Sequence, residues 1–344
     1  MDNRTKLTGK PNVMKEVNKG LIKDTLLNVE TATRVEIAEA TKISQPTVNA
    51  IMKEMLKEGL IVEVGHAISS GGRKAMRYAL NQNAANVAAV ILKPQELTYE
   101  IADIFGRSIE KGNVPVNRKK NYVQNLTVIV EKLLEQYSSI KALAGGVPGA
   151  VSEQGEIFAV PQIRELEKLN LNKLLKERYN IHVLILNDIS TIAFGYYRMS
   201  IRKRQDDMVF VHIGEGLGAS TIVGGKVLNG FSSFAGEIGY MKVNEESNIE
   251  AVLFSQDEKE KKQNVISRVI VNTICLINPP QIVFGGNDVS SELINGIRTY
   301  CLKELPAGMI PDFIILEDED KFYLQGAVQS AIDSVREGIS LVEH

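Results

Sequence analysis

Apolar positions along this chain follow a helical rhythm at first and a strand rhythm later, and the change of rhythm divides it. Residues 1–14 are polar and aperiodic, which predicts a loose tail. From Lys15 to Val29 apolar residues fall at Val17, Leu21, Ile22, Leu26, Leu27 and Val29, a helical stripe. Arg34 to Ala40 predicts a short helix opened by Thr33, a good N-cap, and Thr41-Lys42-Ile43 a tight turn. A helix restarts at Ser44-Gln45-Pro46-Thr47, with Ser44 as N-cap and Pro46 in the first turn, where its missing N–H costs nothing. That helix sets Val48, Ile51, Met52, Met55 and Leu56 on one face. Leu60 to Val64, His66 to Ser70 and Met76 to Leu80 then read as strands around the glycine-rich basic tip Gly71-Gly72-Arg73-Lys74.

Short helix, tight turn, capped helix and basic-tipped hairpin make the pattern of a winged helix-turn-helix over residues 1–82. In that motif the second helix enters the DNA major groove with its first residues against base edges. Ser44, Gln45, Thr47 and Asn49 stand at that end, and Lys53 follows for a phosphate. Arg73, Lys74 and Arg77 suit a wing that presents cations to the DNA backbone. A small helical cap that merely packs on the rest is the bland alternative.

Asn81 to Ala85 reads as a polar linker. Beyond it, Val87 to Leu92, Leu97 to Ile104 and Arg107 to Val116 predict three strands with turns at Lys93-Pro94 and Gly106. A helix is expected over Tyr122 to Tyr137, a buried strand over Ile140 to Gly146, a helix over Leu171 to Arg178 and a strand over Val183 to Leu186. Meander strands return at Val209 to Ile213, Ala219 to Val223 and Lys226 to Leu228. The helix Val265 to Ile277 and the strand Gln281 to Phe284 follow. The same architecture is used twice, which predicts two stacked α/β lobes with a cleft between them. Residues 83–190 plus 325–344 would form the first lobe and 191–324 the second. The charged run Asp257 to Lys262 reads as a solvated helix surface.

Composition narrows the class. At 344 residues, two or three compact units are expected, and a 44% hydrophobic content is ordinary for a globular protein. No stretch approaches a membrane span, and Met1 to Lys10 is too polar for a secretory signal, so a cytoplasmic location without membrane contact is expected. Cys275 and Cys301 lack a Cys-x-x-Cys partner and suggest neither a disulfide framework nor a cysteine metal site. The net charge of −2 is unevenly spread: residues 1–80 carry 13 Lys or Arg against 9 Asp or Glu, and the rest carries 27 against 33. A basic head on an acidic body permits nucleic-acid binding without proving it.

The most informative stretch is Val211 to Val243, in which Gly214, Gly216 and Gly218 follow a β-branched run and Gly224-Gly225 joins two short strands. Glycines at a strand end let backbone N–H groups approach a phosphate or a sugar. Gly236-Glu237-Ile238-Gly239-Tyr240 then sets a carboxylate between glycines. This string resembles the signature of the ROK family, the repressor, open-reading-frame and sugar-kinase group. The Gly-x-Pro-Gly-like run Gly146-Val147-Pro148-Gly149, the pair Asn187-Asp188, the segment Ile249-Glu250-Ala251-Val252 and Asn278 to Gly286 are also similar to family motifs. With the helix-turn-helix in front, the resemblance is to the repressor branch, of N-acetylglucosamine and xylose repressor type.

The resemblance implies an α/β, two-lobed actin-like (ribonuclease H-like) sugar-kinase fold. It implies sugar contacts by Pro148, Gly149, Asn187, Asp188, Glu237, Tyr240 and Glu250, with Asp188 at the family's base position. Carboxylates and amides suit sugar hydroxyls, which donate to the first and accept from the second. Gly214, Gly216, Gly218, Gly285 and Gly286 would remain as a vestigial nucleotide turn. Two departures argue against catalysis. The family's Asp-x-Gly turn falls on Ile91 and Lys93, and Glu215 adds negative charge in the second phosphate turn. The zinc loop is lost as well, since Val243 runs through Asn244-Glu245-Glu246-Ser247-Asn248 to Glu250 without cysteine or histidine and Tyr240 replaces the family histidine. His182 and His212 read as structural. The expectation is a non-enzymatic, cofactor-free repressor that binds operator DNA as a homodimer or homotetramer and is gated by a sugar or sugar phosphate. An active ROK kinase with a DNA-binding head is the alternative, and a regulator with a vestigial cleft a third.

Overall fold

Pro11, whose missing N–H is harmless at a helix start, begins α1 (Pro11–Val29), so residues 11–14 lengthen the first helix where a tail was expected. The computed structural model describes residues 11–66, 75–82, 84–201, 206–214, 216–255 and 259–337. After the two-residue β1 (Ala32–Thr33), Thr33 caps α2 (Arg34–Thr41) with a full capping box: its hydroxyl accepts from Glu36 N–H while the Glu36 carboxylate accepts from Thr33 N–H. Lys42 ends α2 in the left-handed region and turns the chain into α3 (Gln45–Lys57). Val48, Ile51, Met52 and Met55 of α3 are buried, as their spacing predicts. The strands β2 (Ile61–His66) and β3 (Met76–Leu80) pair antiparallel, and β1 adds to β3. Ion pairs Lys15–Glu54 and Lys19–Glu58 join α1 to α3.

The body repeats one arrangement. A meander of β4 (Asn86–Leu92), β5 (Glu96–Asp103) and β6 (Ser108–Pro115) leads through α4 (Tyr122–Gln136) to β7 (Ile140–Val147). The small hairpin β8 (Ala150–Val151) and β9 (Ile157–Phe158), then α5 (Leu171–Tyr179), precede β10 (His182–Asn187). The resulting sheet has the order β10-β7-β4-β5-β6, parallel across β10-β7-β4. After α6 (Asp188–Ser200) comes a second meander, β11 (Met208–Ile213), β12 (Leu217–Val223) and β13 (Lys226–Val227). The chain continues through α7 (Ile249–Leu253), α8 (Lys259–Ile277), β14 (Gln281–Gly285), α9 (Ser291–Glu304), β15 (Asp312–Ile315) and α10 (Glu319–Glu337). The second sheet, β13-β12-β11-β14-β15, matches the first strand for strand. Lys259 to Lys262 of the charged run open α8, while Asp257 and Glu258 lie outside the described residues.

Strand alternation decides which core each side chain enters. Ala88, Val90 and Leu92 of β4 face a cluster with Leu126 and Ile129 of α4 and Leu171 and Leu175 of α5. Val87, Ala89 and Ile91, on the other face, join Ile192 and Tyr196 of α6, Phe210 of β11 and Val328 of α10. Thus α6 and α10 lie between the two sheets. They touch backbone to backbone: a Cβ on Gly195 would stand 1.9 Å from the Phe322 carbonyl oxygen, and one on Gly326 1.9 Å from that of Thr191. A third cluster packs α8 and α9 on the outer face of the second sheet through Ile270, Ile274 and Ile297. The head has its own core around Ile22, Leu26, Ile37 and Met52, and Ile104 and Phe105 from the β5–β6 turn pack against it.

Candidate functional site

At the start of α3 the helix-turn-helix leaves Ser44, Gln45 and Asn49 exposed, and Lys53 is exposed one turn further on. Ser44 occupies the N-cap position with extended backbone, but its hydroxyl makes no capping bond. It sits 2.8 Å from the Thr47 hydroxyl, which competes for it. Arg77 points back into the head, where its guanidinium bonds Thr31 and pairs with Glu36 at 3.3 Å. It therefore holds β3 against the start of α2. Arg73 and Lys74 lie outside the described residues.

Between the lobes is a cleft of about 530 Å³, bordered by the β8 hairpin, the start of α6, and the loop that follows β13. Asn187 and Glu237 line it. As N-cap of α6, Asn187 accepts from Ser190 N–H, and its amide donates to the Gly149 carbonyl and to Asp188 Oδ1. One side chain so fixes the Pro148-Gly149 turn, the helix start and the aspartate. Asp188 Oδ1 also accepts from Ile189 N–H at 2.8 Å. Burial pushes the Asp188 carboxyl up to about 6, against the effect of the Ile189 hydrogen bond and of His212, and the Glu237 charge adds to the rise.

Glycine places Glu237. Gly236, at φ +100, lies with the space for a Cβ only 2.0 Å from the Ala219 carbonyl oxygen, so no other residue fits, and its own carbonyl accepts from Ala219 N–H. Gly239 likewise lets Glu250 close in behind the loop. Burial, then the charge of Glu250, raises the Glu237 carboxyl above the usual carboxylate range. Tyr240 does not point inward: it is 54% exposed and packs its ring on Phe234, with centroids 5.3 Å apart.

His212 is more than a strand residue. Its Nδ1 lies 3.1 Å from Glu319 Oε1 of α10. Burial alone would lower its pKa, but the Glu319 bond and the charges of Glu319, Asp188 and Asp288 outweigh that and raise it. No local pattern signals this pair, since its members are 107 positions apart.

Where the family resemblance would place a nucleotide, the protein's own groups stand. Ile91, at the family's aspartate position, is 2% exposed in the inter-sheet core. Lys93 pairs with Asp320 at 2.7 Å. Tyr323 lies against Gly146, where a Cβ would stand 2.3 Å from the ring, and its buried hydroxyl has no hydrogen-bond partner among the described residues. Gly285 makes room for Glu319, Gly218 for Ile189, Gly286 for the Ile213 carbonyl and Gly214 for the His212 ring; Gly216 faces open space. Glu215 lies outside the described residues. These groups do not fit a metal–phosphate complex, which needs a carboxylate where Ile91 stands. Nor does the loop after Tyr240 fit zinc. It is closed by Asn244, whose Oδ1 accepts from Glu246 and Ser247 N–H, and by the Val243 N–H bond to Ser247. Among the described residues no helix is long and apolar enough to cross a membrane.

Comparison with known proteins finds relatives of both parts of the chain. The ROK family model matches residues 96–252, and a winged helix-turn-helix DNA-binding model matches residues 30–62. The xylose repressor of Caldicellulosiruptor bescii is 25% identical over 284 residues, spanning 76% of this chain and 71% of its own. The DNA-binding transcriptional dual regulator NagC of Escherichia coli is 22% identical over 242 residues, spanning 68% of this chain and 59% of its own. Among solved structures, a ROK family transcriptional regulator described as a homologue of the E. coli MLC protein superposes with a TM-score of 0.72 at 17% identity, over 95% of this chain and 99% of that one. A ROK hexokinase from Thermus thermophilus superposes with a TM-score of 0.62 at 16% identity, over 74% of this chain and all of its own. The chain carries a ROK family domain over residues 96–252 and, ahead of it, a winged helix-turn-helix, on an α/β body of the sugar-kinase fold.

Proposed function

We propose that this protein is a transcriptional repressor of carbohydrate-use genes whose ROK body binds a sugar or sugar phosphate and thereby gates DNA affinity. The observation that carries the reading is the union, in one chain, of a helix-turn-helix with its polar helix start exposed and a body that holds a polar cleft between its lobes and buries Ile91 at the family's aspartate position. The relatives named xylose repressor and NagC support it. Ser44, Gln45, Thr47 and Asn49 would meet base edges, and Lys53, Arg73 and Lys74 the phosphates. Arg77 would act by holding the wing to the head, given its bonds to Thr31 and Glu36.

In the cleft, Asn187, Asp188, Glu237 and Glu250 would receive sugar hydroxyls, with Pro148 and Gly149 shaping the floor and Tyr240 closing the rim. Phosphoryl transfer is not part of this function. Its support would have to come from a carboxylate-bound metal and open phosphate turns, and Ile91, the Lys93–Asp320 pair and the His212–Glu319 pair stand there instead. Two copies on a palindromic operator, as a dimer or within a tetramer, would present two heads at a spacing that only one arrangement of the lobes allows. The ligand then shifts DNA affinity by its preference for that arrangement.

Fluorescence anisotropy of the duplex upstream of the protein's own coding region, titrated with and without sugars, tests this. Specific binding altered by a sugar is expected, with no transfer of phosphate from ATP to that sugar. Binding indifferent to every sugar would leave a regulator with a vestigial cleft. Phosphorylated product would restore the kinase reading.

A further inference from the structure

We infer that the cleft selects an uncharged sugar and rejects its phosphate ester. This rests on the reading of the cleft as the effector site and decides between the two ligand classes which that reading admits.

Among the described residues, no lysine, arginine or histidine lines the cleft, whereas Glu153 and Glu237 do. Two more carboxylates are near: the charge of Glu250 raises the Glu237 carboxyl, and that of Glu237 raises Asp188. The His212 imidazole is nearby, and its Nδ1 is already engaged by Glu319. A buried phosphate needs a cation or a set of free N–H donors, and a helix start is the usual source of donors. Here α6 begins at the cleft, but the first of those donors are already taken by the protein's own oxygens: Ile189 N–H by Asp188 and Ser190 N–H by Asn187. Asp188 is itself the anion at that helix start.

The remaining polar lining is neutral. Ser152, Ser190, Asn229 and Ser233 offer hydroxyls and an amide. A sugar hydroxyl can donate to Glu237 and accept from Asn229 or a serine without bringing charge into the site. A phosphate dianion would bring like charge to a group of carboxylates already held above their ordinary pKa by burial, with no counter-charge on the walls.

Isothermal titration calorimetry of the full-length protein tests this with matched pairs: xylose and xylose 5-phosphate, glucose and glucose 6-phosphate, N-acetylglucosamine and its 6-phosphate. The free sugar of at least one pair is expected to bind at least tenfold more tightly than its ester, and Glu237→Gln is expected to narrow that ratio. An ester that binds as tightly as its sugar, or more tightly, overturns the charge argument while leaving the sugar-gated reading intact. No binding by any member, together with unaltered DNA anisotropy, removes the sugar-gated reading and this inference with it.

Discussion

Asp188 is a charge the unliganded protein bears at a cost. Its folded pKa of about 6 lies above the ordinary carboxylate range, chiefly through burial. A raised carboxyl keeps its proton in the native state while the unfolded chain has lost it, so stability falls as pH rises from about 4 to 6 and the penalty stays constant above. Part of the side chain still meets solvent, so the penalty is on the order of 1–3 kcal/mol. Asp188→Asn keeps an oxygen for the Ile189 N–H and removes the charge. The variant is expected to melt several degrees higher than the parent at pH 7.5, with the gap closing toward pH 4, and to lose the sugar response. Thermal melts of both proteins from pH 4 to 8 check this; a gap independent of pH would show that the carboxylate is fully hydrated. Asn187-Asp188 and Gly236-Glu237 stood out by their resemblance to family motifs, short strings whose residues lie side by side in the chain. The surroundings of Tyr240 and His212 left no such mark. Their settings are made by Phe234 and Glu319, contacts that strand periodicity does not report.

Among the elements, α6 and α10 join the halves of the body. We propose the lobe boundaries at 83–190 plus 325–344 and at 191–324; both fall inside these two helices, which makes their crossing the seam between the lobes. The crossing depends on Gly195 and Gly326, each facing a backbone carbonyl at 1.9 Å from where a Cβ would be. Neither carbonyl can swing aside as a side chain would. Gly195→Ala and Gly326→Ala are expected to destabilise by about 1–3 kcal/mol or more despite the better helix propensity of alanine. Urea unfolding measures it, and a neutral or stabilised variant would show that the helices separate easily. The same chemistry explains why these helices were not read from the sequence. Glycine weakens a helical signal, and α6, buried between two sheets with Ile192, Tyr196 and Tyr197 all enclosed, has no polar face from which to read a period. α3 and α4 were legible because each buries one face and shows the other to solvent, and the meander strands because short apolar, β-branched runs are bounded by turn residues.

Across the whole molecule, a packed route runs from cleft to head. Asn187 and Asp188 open α6 in the cleft, and Arg198 near its end bonds Gln329 and Asp333 of α10. Gln329 and Ile332 of α10 lie against Gly106, where a Cβ would stand 2.9 Å from the Gln329 amide. Asp103 holds that turn by accepting from Phe105 and Arg107 N–H, and Ile104 and Phe105 press on the head core. A lobe motion that moves α10 therefore reaches the helix-turn-helix through a side-chain contact as well as through the linker 81–85. Coupling between two such sites is typically about 1–3 kcal/mol. Phe105→Ala is expected to leave DNA affinity without sugar and sugar affinity without DNA within about twofold of the parent, and to cut the coupling to less than half. Phe105→Leu, which keeps the apolar contact, is expected to retain most of it. The measurement is a thermodynamic square, DNA affinity with and without saturating sugar and sugar affinity with and without DNA, whose two coupling factors must agree. Full coupling in Phe105→Ala would assign the signal to the linker or to contacts between subunits. Loss of DNA binding without any sugar would mean that Phe105 supports the head's fold and does not carry a signal to it.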